Sequence, residues 1–484
     1  MKNKLIFGLA FLVGCTTLPA KDNIISIDRD GELEIPGHTI FGTQKVKEIE
    51  NHQSNKDPEL EYIEKRIDEA LKENNKIAIY IHGGLNYPSE SVDKANKISK
   101  QIQESGYTPI FIDWRSGFWT TYKEHLLHSR QGEYLEVWGP LTAPFTFLED
   151  IGRGVTRAPM RFFQVMNNYG KSILFGEYGG ENNASELSKH YLSGDFVNNQ
   201  CKTNTPSIVN NKYNFGELPK LCDERSLTKK VGDGLLNFGQ ATLALTTAPI
   251  FDTLATSAWS TMKRRTEIMF SKRICYDEDD GCDYRKDSIE NYQASKEGAA
   301  SKFFRILKEK QDKNKNVKVL LVGHSMGTII ANNVLTYFPD IEFEKIVYLA
   351  SAASFKDFEE SVVPYIRKHT LTKFFNITLH PIAENVESQY FGFGQTGTLL
   401  TQIDNFYESP ISENKRTLGR WVNVVNNLTY IDGLNGMKDI KKNLYFRTLP
   451  YEHHGEYPQT HGELDDKEFI KSGAFWLGDL GQNR

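Results

Sequence analysis

The chain of 484 residues is longer than one compact core requires, and its 39% hydrophobic content, with 29 Phe, 22 Tyr and 6 Trp, excludes a disordered polypeptide. Its 58 basic and 63 acidic residues leave a net charge of -5, which excludes a nucleic-acid binder held by phosphate contacts.

The first residues differ in kind from the rest. Lys2 and Lys4 precede an apolar run from Leu5 to Val13, too short to span a bilayer and suited to the hydrophobic region of a cleaved signal peptide. The run ends in Leu12-Val13-Gly14-Cys15, which resembles the lipobox of bacterial lipoproteins. The resemblance implies that residues 1–15 are signal peptide and lipidation site, with Cys15 acylated at the mature N-terminus. Acyl chains contribute about 0.8 kcal/mol per buried methylene, so several on one residue anchor a protein without a transmembrane helix. Thr16, in place of Asp after the cysteine, implies the outer membrane if the source is Gram-negative.

Residues 21–56 mix short apolar pieces such as Ile24–Ile27 with Gly and Asp turns, and read as early strands and a polar linker. From 57 to 116 the pattern becomes regular. Asp57-Pro58 starts a helix with Tyr62, Ile63, Ile67, Ala70 and Leu71 on one face, and Ile77–Ile81 reads as a buried strand. A helix near Ser89–Gln103 and a strand at Pro109–Ile112 follow. Helix and buried strand in alternation predict an α/β protein with a mostly parallel sheet flanked by helices.

The rhythm breaks over 117–290, which predicts a long helical or irregular insertion, a cap or lid. Within it, the apolar piece Leu235–Trp259 carries Pro249 and Asp252, which argue against a membrane span; the piece reads as a buried pair of cap helices, with a segment that binds acyl chains as the alternative. Cys201, Cys222, Cys275 and Cys282 also lie here, an even number that favours disulfides in an exported chain. Neighbour pairing is the simplest of three connectivities, and no Cys-x-x-Cys or histidine cluster points to a metal. The acidic turn Asp277–Gly281 lacks the spacing of a calcium loop and reads as a solvated hairpin. Regularity returns over 291–484, with a helix near 291–310, a strand at 317–322, a helix from Thr328 to Tyr337, strands at 345–350, 376–379 and 443–449, and a last helix near 466–477.

The chemistry centres on Gly323-His324-Ser325-Met326-Gly327, immediately after a buried strand and before a helix. A serine on a sharp strand-to-helix turn needs flanking glycines, because a side chain at either would strike the neighbouring strand or helix. Here the sequence resembles the α/β-hydrolase superfamily, over roughly residues 58–116 and 291–478. The resemblance implies Ser325 as nucleophile, with an acid and then a histidine downstream. It also implies an oxyanion loop after an early strand, a place that Tyr80-Ile81-His82-Gly83-Gly84-Leu85-Asn86 fits, with N–H groups of Gly84 or Leu85 joining that of Met326. His82 precedes Ser325 in the chain and reads as a structural hydrogen-bonding residue. Of His453, His454 and His461, the last is preferred as base because it leads directly into the final helix. For the acid, Glu384 lies nearest the expected position, Glu387 is just beyond, and Asp404 competes. Asp113-Trp114-Arg115-Ser116-Gly117, at a strand's end, either shapes the pocket or is structural.

The reading is hydrolysis of a small-molecule or lipid carboxylic ester through an acyl-enzyme, with no cofactor. Two rivals stand beside it. One is a non-catalytic binding or scaffold lipoprotein on the same fold, disfavoured because elbow, oxyanion loop and downstream histidine occur together. The other is an acyltransferase, peptidase or thioesterase with the same triad, which only product analysis separates.

Overall fold

A computed structural model describes residues 23–35, 57–130, 133–134, 138–175, 254–271, 298–379, 383–384, 387, 397–408, 410, 412–427, 437–448 and 460–465. Cys15, the four remaining cysteines, the 277–281 turn, His453, His454 and the expected 466–477 helix lie outside these residues.

In chain order the main elements are β1 (Ile24–Ile27), α1 (Pro58–Glu73), β2 (Lys76–Ile81), α2 (Pro88–Glu104), β3 (Thr108–Trp114) and α3 (Phe118–Leu127). A small antiparallel hairpin, β4 (Ser129–Arg130) and β5 (Glu133–Tyr134), leads to α4 (Trp138–Phe175) and α5 (254–271). Then come α6 (Ala299–Lys313), β6 (Lys318–His324), α7 (Gly327–Tyr337), β7 (Phe343–Leu349), α8 (Phe355 to Lys368, with a π turn at Phe358–Val362), β8 (Lys373–Thr378) and β9 (Leu444–Thr448).

Seven strands form one parallel sheet in the order β1-β3-β2-β6-β7-β8-β9. Every residue of β3 is buried, as is all of β2 and β6 after the first lysine, so both faces of the sheet are covered. That explains why these strands read as continuous apolar runs instead of alternating ones. The expected strands form with small shifts of boundary. β8 starts at Lys373 and not Asn376, because Phe374 and Phe375 are buried on opposite faces of the sheet. Of the early strands expected over 21–56, the described one is β1, which pairs with β3 at the sheet edge.

Local chemistry sets the helix ends. Asp57 Oδ1 accepts the Glu59 N–H at 2.9 Å with Pro58 in the first turn, a cap that contributes about 1 kcal/mol. Lys302 Nζ, from α6, donates to Asp57 and Glu59 at 2.7 Å each and ties α6 to the start of α1. α6 itself begins at Ala299, later than the 291 expected, where Gly298 is pressed against the end of α5. A Cβ on Gly298 would lie 2.2 Å from the Met269 carbonyl oxygen.

Within the insertion, α3, α4 and α5 are joined by buried charge. Glu124 of α3 accepts from both Arg264 and Arg265 of α5, the Arg265 Nε bond measuring 2.9 Å, and Arg265 Nη1 reaches the Arg115 carbonyl at 2.5 Å. Asp150 of α4 accepts from Tyr122 (3.2 Å) and Ser257 (3.3 Å) and lies 3.1 Å from His125 Nε2. α5 also bonds α7, where Asn333 Nδ2 donates to the Thr266 carbonyl at 3.0 Å.

Candidate active site

The carboxyl ends of the central strands converge where β6 turns into α7. Ser325 occupies the turn with φ +51°, a left-handed conformation that costs an L-residue about 1–2 kcal/mol. It persists because its backbone is over-determined. The Ser325 N–H donates to the Leu349 carbonyl (2.8 Å), and the Ser325 carbonyl accepts from Thr328 N–H (3.1 Å), Thr328 Oγ1 (2.7 Å) and Ala352 N–H (3.1 Å).

The flanking glycines have the steric role expected of them. A Cβ on Gly327 would lie 2.2 Å from the Ile81 carbonyl oxygen and 2.8 Å from that of His82. One on Gly323 would lie 2.9 Å from both Gly327 O and Thr328 N. Ser325 is buried, and its Oγ has no hydrogen-bond partner among the described residues.

The loop after β2 lies directly on this turn. A Cβ on Gly83 would approach Ser325 Cβ to 2.9 Å, and one on Gly84 would approach Met326 Sδ to 2.7 Å. Of the three expected oxyanion donors, Leu85 is already engaged: its N–H donates to the Ser116 carbonyl at 3.0 Å, and its φ of +65° turns the chain away. Of the two alternatives, Gly84 or Leu85, the Leu85 amide is thus the one already bonded. Gly84 and Met326 N–H groups carry no hydrogen bond among the described residues.

His82 is structural. Its Nε2 accepts the Trp114 N–H (3.2 Å) and lies 3.1 Å from Asp113 Oδ1 and 3.2 Å from Ser91 Oγ, while Nδ1 lies 2.7 Å from the Gly83 carbonyl. The ring stacks on Trp114 at 5.8 Å. Ser116 Oγ accepts the Asn86 N–H at 3.2 Å, so the Asp113–Gly117 segment braces the loop after β2 from the end of β3. Ser116 thus acts by holding backbone, while Asp113 accepts from Ser26 Oγ at 3.1 Å and lies against His82.

His461 opens a short 3-10 turn, His461–Asp465, whose start is fixed by the Thr460 N–H donating to Glu463 Oε2 at 3.0 Å. It sits against His324, the residue before Ser325. His324 Nε2 donates to the His461 carbonyl at 3.2 Å, and the two rings are 5.0 Å apart. Ser325 Oγ and the His461 ring are not hydrogen-bonded in this structure. Such bonds commonly tighten only around substrate.

The carboxylates are distributed differently from expectation. Asp404 is consumed by four donors: Thr417 N–H (2.8 Å), Thr417 Oγ1 (3.2 Å), Arg420 Nη1 (3.0 Å) and Asn423 Nδ2 (2.7 Å). Glu384 Oε2 lies 3.7 Å from Arg420 Nε and Oε1 has no hydrogen-bond partner among the described residues. Burial pushes the Glu384 carboxyl up to about 8, against the pull of Arg420, so it is protonated near neutrality. Among the described residues its charged neighbour is Arg420. Glu387 is the carboxylate brought to the histidine: its Oε2 accepts the His461 N–H at 2.8 Å.

Sequence reasoning missed two residues here. Arg420 gathers Glu384 and Asp404 from separate segments, and Met262 of α5 reaches the loop after β2, its Sδ 3.6 Å from where a Gly84 Cβ would be. Neither has a local signal, since both act across more than a dozen residues of chain. Comparison with known proteins adds no relative: no family model, curated protein or solved structure matches this chain. The site is therefore described by its own geometry, a strained buried serine between an oxyanion-type glycine loop and a histidine-bearing turn.

Proposed function

We propose that this protein is a serine hydrolase of the α/β-hydrolase type that cleaves carboxylic esters through an acyl-enzyme on Ser325. The observation that carries the reading is the left-handed Ser325 at the β6–α7 turn, with Gly83 and Gly84 packed against it. The strand order β3-β2-β6-β7-β8-β9 around that turn supports the same assignment.

In this reading Ser325 Oγ attacks the ester carbonyl carbon while His461 takes the hydroxyl proton. The negative oxygen of the tetrahedral intermediate is held by the Gly84 and Met326 N–H groups, at the N-terminus of α7, where the helix dipole favours negative charge. The intermediate collapses as His461 returns the proton to the leaving alcohol. Water, deprotonated by His461, then attacks the acyl-enzyme and releases the acid. Glu387 orients His461 through the main-chain bond already present. The N-terminal lipobox-like segment places the enzyme at a bacterial membrane through acylated Cys15, and lipid esters are the substrate class that this location favours.

Turnover of p-nitrophenyl esters of short and long acyl chains tests the proposal. Ser325→Ala and His461→Ala are each expected to lower kcat by at least about 10⁴-fold. A folded Ser325→Ala variant with unchanged turnover would remove the reading. Product analysis with added alcohols distinguishes hydrolysis from acyl transfer.

A further inference from the structure

His324, the last residue of β6, has its side chain between the two segments that meet at the Ser325 turn, and it is 3% exposed. One edge of the imidazole faces the loop after β2, where a Cβ on Gly83 would lie 3.0 Å from His324 Nδ1 and 2.9 Å from Ser325 Cβ. The other edge faces the turn that opens at His461. There Nε2 donates to the His461 carbonyl at 3.2 Å, and the two rings stand 5.0 Å apart with their planes tilted by 40°. A carbonyl oxygen only accepts, so His324 Nε2 carries a proton.

The main chain of His461 is thereby held on both sides. Its N–H donates to Glu387 Oε2 at 2.8 Å, and its carbonyl accepts from His324. Neither bond uses a nitrogen of the His461 ring. The two anchors differ in what they fix. Glu387 ties the turn to the segment after β8, whereas His324 is joined to Ser325 by a peptide bond. Any shift of the His461 turn relative to the nucleophile must therefore stretch the His324 bond. An imidazole suits this place because its ring is rigid and turns about only two side-chain bonds, so packing it fixes the position of the donor.

We infer that His324 is a positioning residue for the proton transfer between Ser325 and His461. By holding the His461 carbonyl from the residue adjoining the nucleophile, it sets the distance of the base from Ser325. Through its contact at Gly83 it sets the same register for the oxyanion donors. The inference rests on the hydrolase reading proposed above and gives a task to the side chain between Gly323 and Ser325. Proton transfer is steep in distance, and a displacement of about 1 Å costs about 100-fold in rate.

The test compares His324→Gln with His324→Met in the full chain, using p-nitrophenyl butyrate as substrate and Ser325→Ala and His461→Ala as references. Glutamine carries an amide nitrogen at the place of Nε2, and methionine keeps a similar length and volume without a donor. His324→Met is expected to lower kcat about 10- to 100-fold with KM unchanged, and His324→Gln to stay within about threefold of wild type, with circular dichroism of both unchanged. Equal losses in the two variants overturn the inference and assign the effect to the shape of the buried ring. An undiminished kcat in folded His324→Met, beside wild-type turnover that both references abolish, also overturns it and leaves the hydrolase reading standing. A wild type without turnover, or turnover that survives Ser325→Ala, removes that reading and this inference with it. The bond itself is read without activity, which decides the matter if His324→Met does not fold. Long-range proton–nitrogen NMR of the chain isotope-labelled at histidine is expected to show a protonated Nε2 on His324, identified by the signal lost in His324→Gln. A His324 ring protonated at Nδ1 alone overturns the inference.

Discussion

Glu384→Gln isolates the energetic consequence of the buried Glu384–Arg420–Asp404 cluster. Burial holds the Glu384 carboxyl at about 8 in the folded chain, against an ordinary 4.5. Between those values the folded protein retains a proton that the unfolded chain has lost, so unfolding releases it and stability falls as pH rises. The slope approaches about 1.4 kcal/mol per pH unit at its steepest, and the loss across the window amounts to a few kcal/mol, complete above the folded value. Glutamine keeps the shape and stays neutral throughout. Guanidinium chloride midpoints at pH values of about 5, 7 and 9 therefore diverge. The variant and wild type are expected to match at the acid end, and the variant to be the more stable by a few kcal/mol at the alkaline end. A stability difference that does not change with pH would refute the protonated, buried carboxyl. The same variant is expected to keep ester turnover at neutral pH, whereas Glu387→Gln lowers it by weakening the hold on the His461 turn.

Further substitutions probe the frame of the site. Gly327→Ala sets a methyl 2.2 Å from the Ile81 carbonyl oxygen, part of a central strand that has little room to move, and is expected to cost about 3 kcal/mol in denaturant titration. Gly152→Ala, on α4 with nothing within 4 Å, is expected to stabilise by about 0.5–1 kcal/mol and serves as its control. Ser325→Gly relieves the φ of +51° and is expected to raise stability by about 1 kcal/mol over Ser325→Ala, since alanine retains the strain. Asp404→Asn leaves Arg420 buried beside a neutral partner, and a loss of about 3 kcal/mol or more is expected from the midpoint shift.

The fold was legible where local physics decides it. Apolar runs in β2, β3 and β6, the Asp57-Pro58 helix start and the two glycines around Ser325 each carry their reason within a few residues. Which carboxylate stands beside the His461 turn was not legible. Glu384, Glu387 and Asp404 are equivalent in sequence, and only Thr417, Arg420 and Asn423, brought from a later segment, show which carboxylate is structural and which is neutral. Gly84 and Leu85 could not be told apart for a similar reason, because it is Ser116, at the next strand's end, that takes the Leu85 amide. The orientation of α4 is another case. Its periodicity marks two faces, but the direction in which they point is set by Asp150 meeting Tyr122, His125 and Ser257.

The central claim is that Ser325 is an activated nucleophile, and covalent labelling by a fluorophosphonate tests it most directly. Mass spectrometry of the digested, folded protein is predicted to find a single phosphonyl adduct on the peptide containing Ser325, absent from Ser325→Ala and strongly reduced in His461→Ala. A folded wild-type protein that remains unlabelled, or that is labelled equally after Ser325→Ala, would contradict the account.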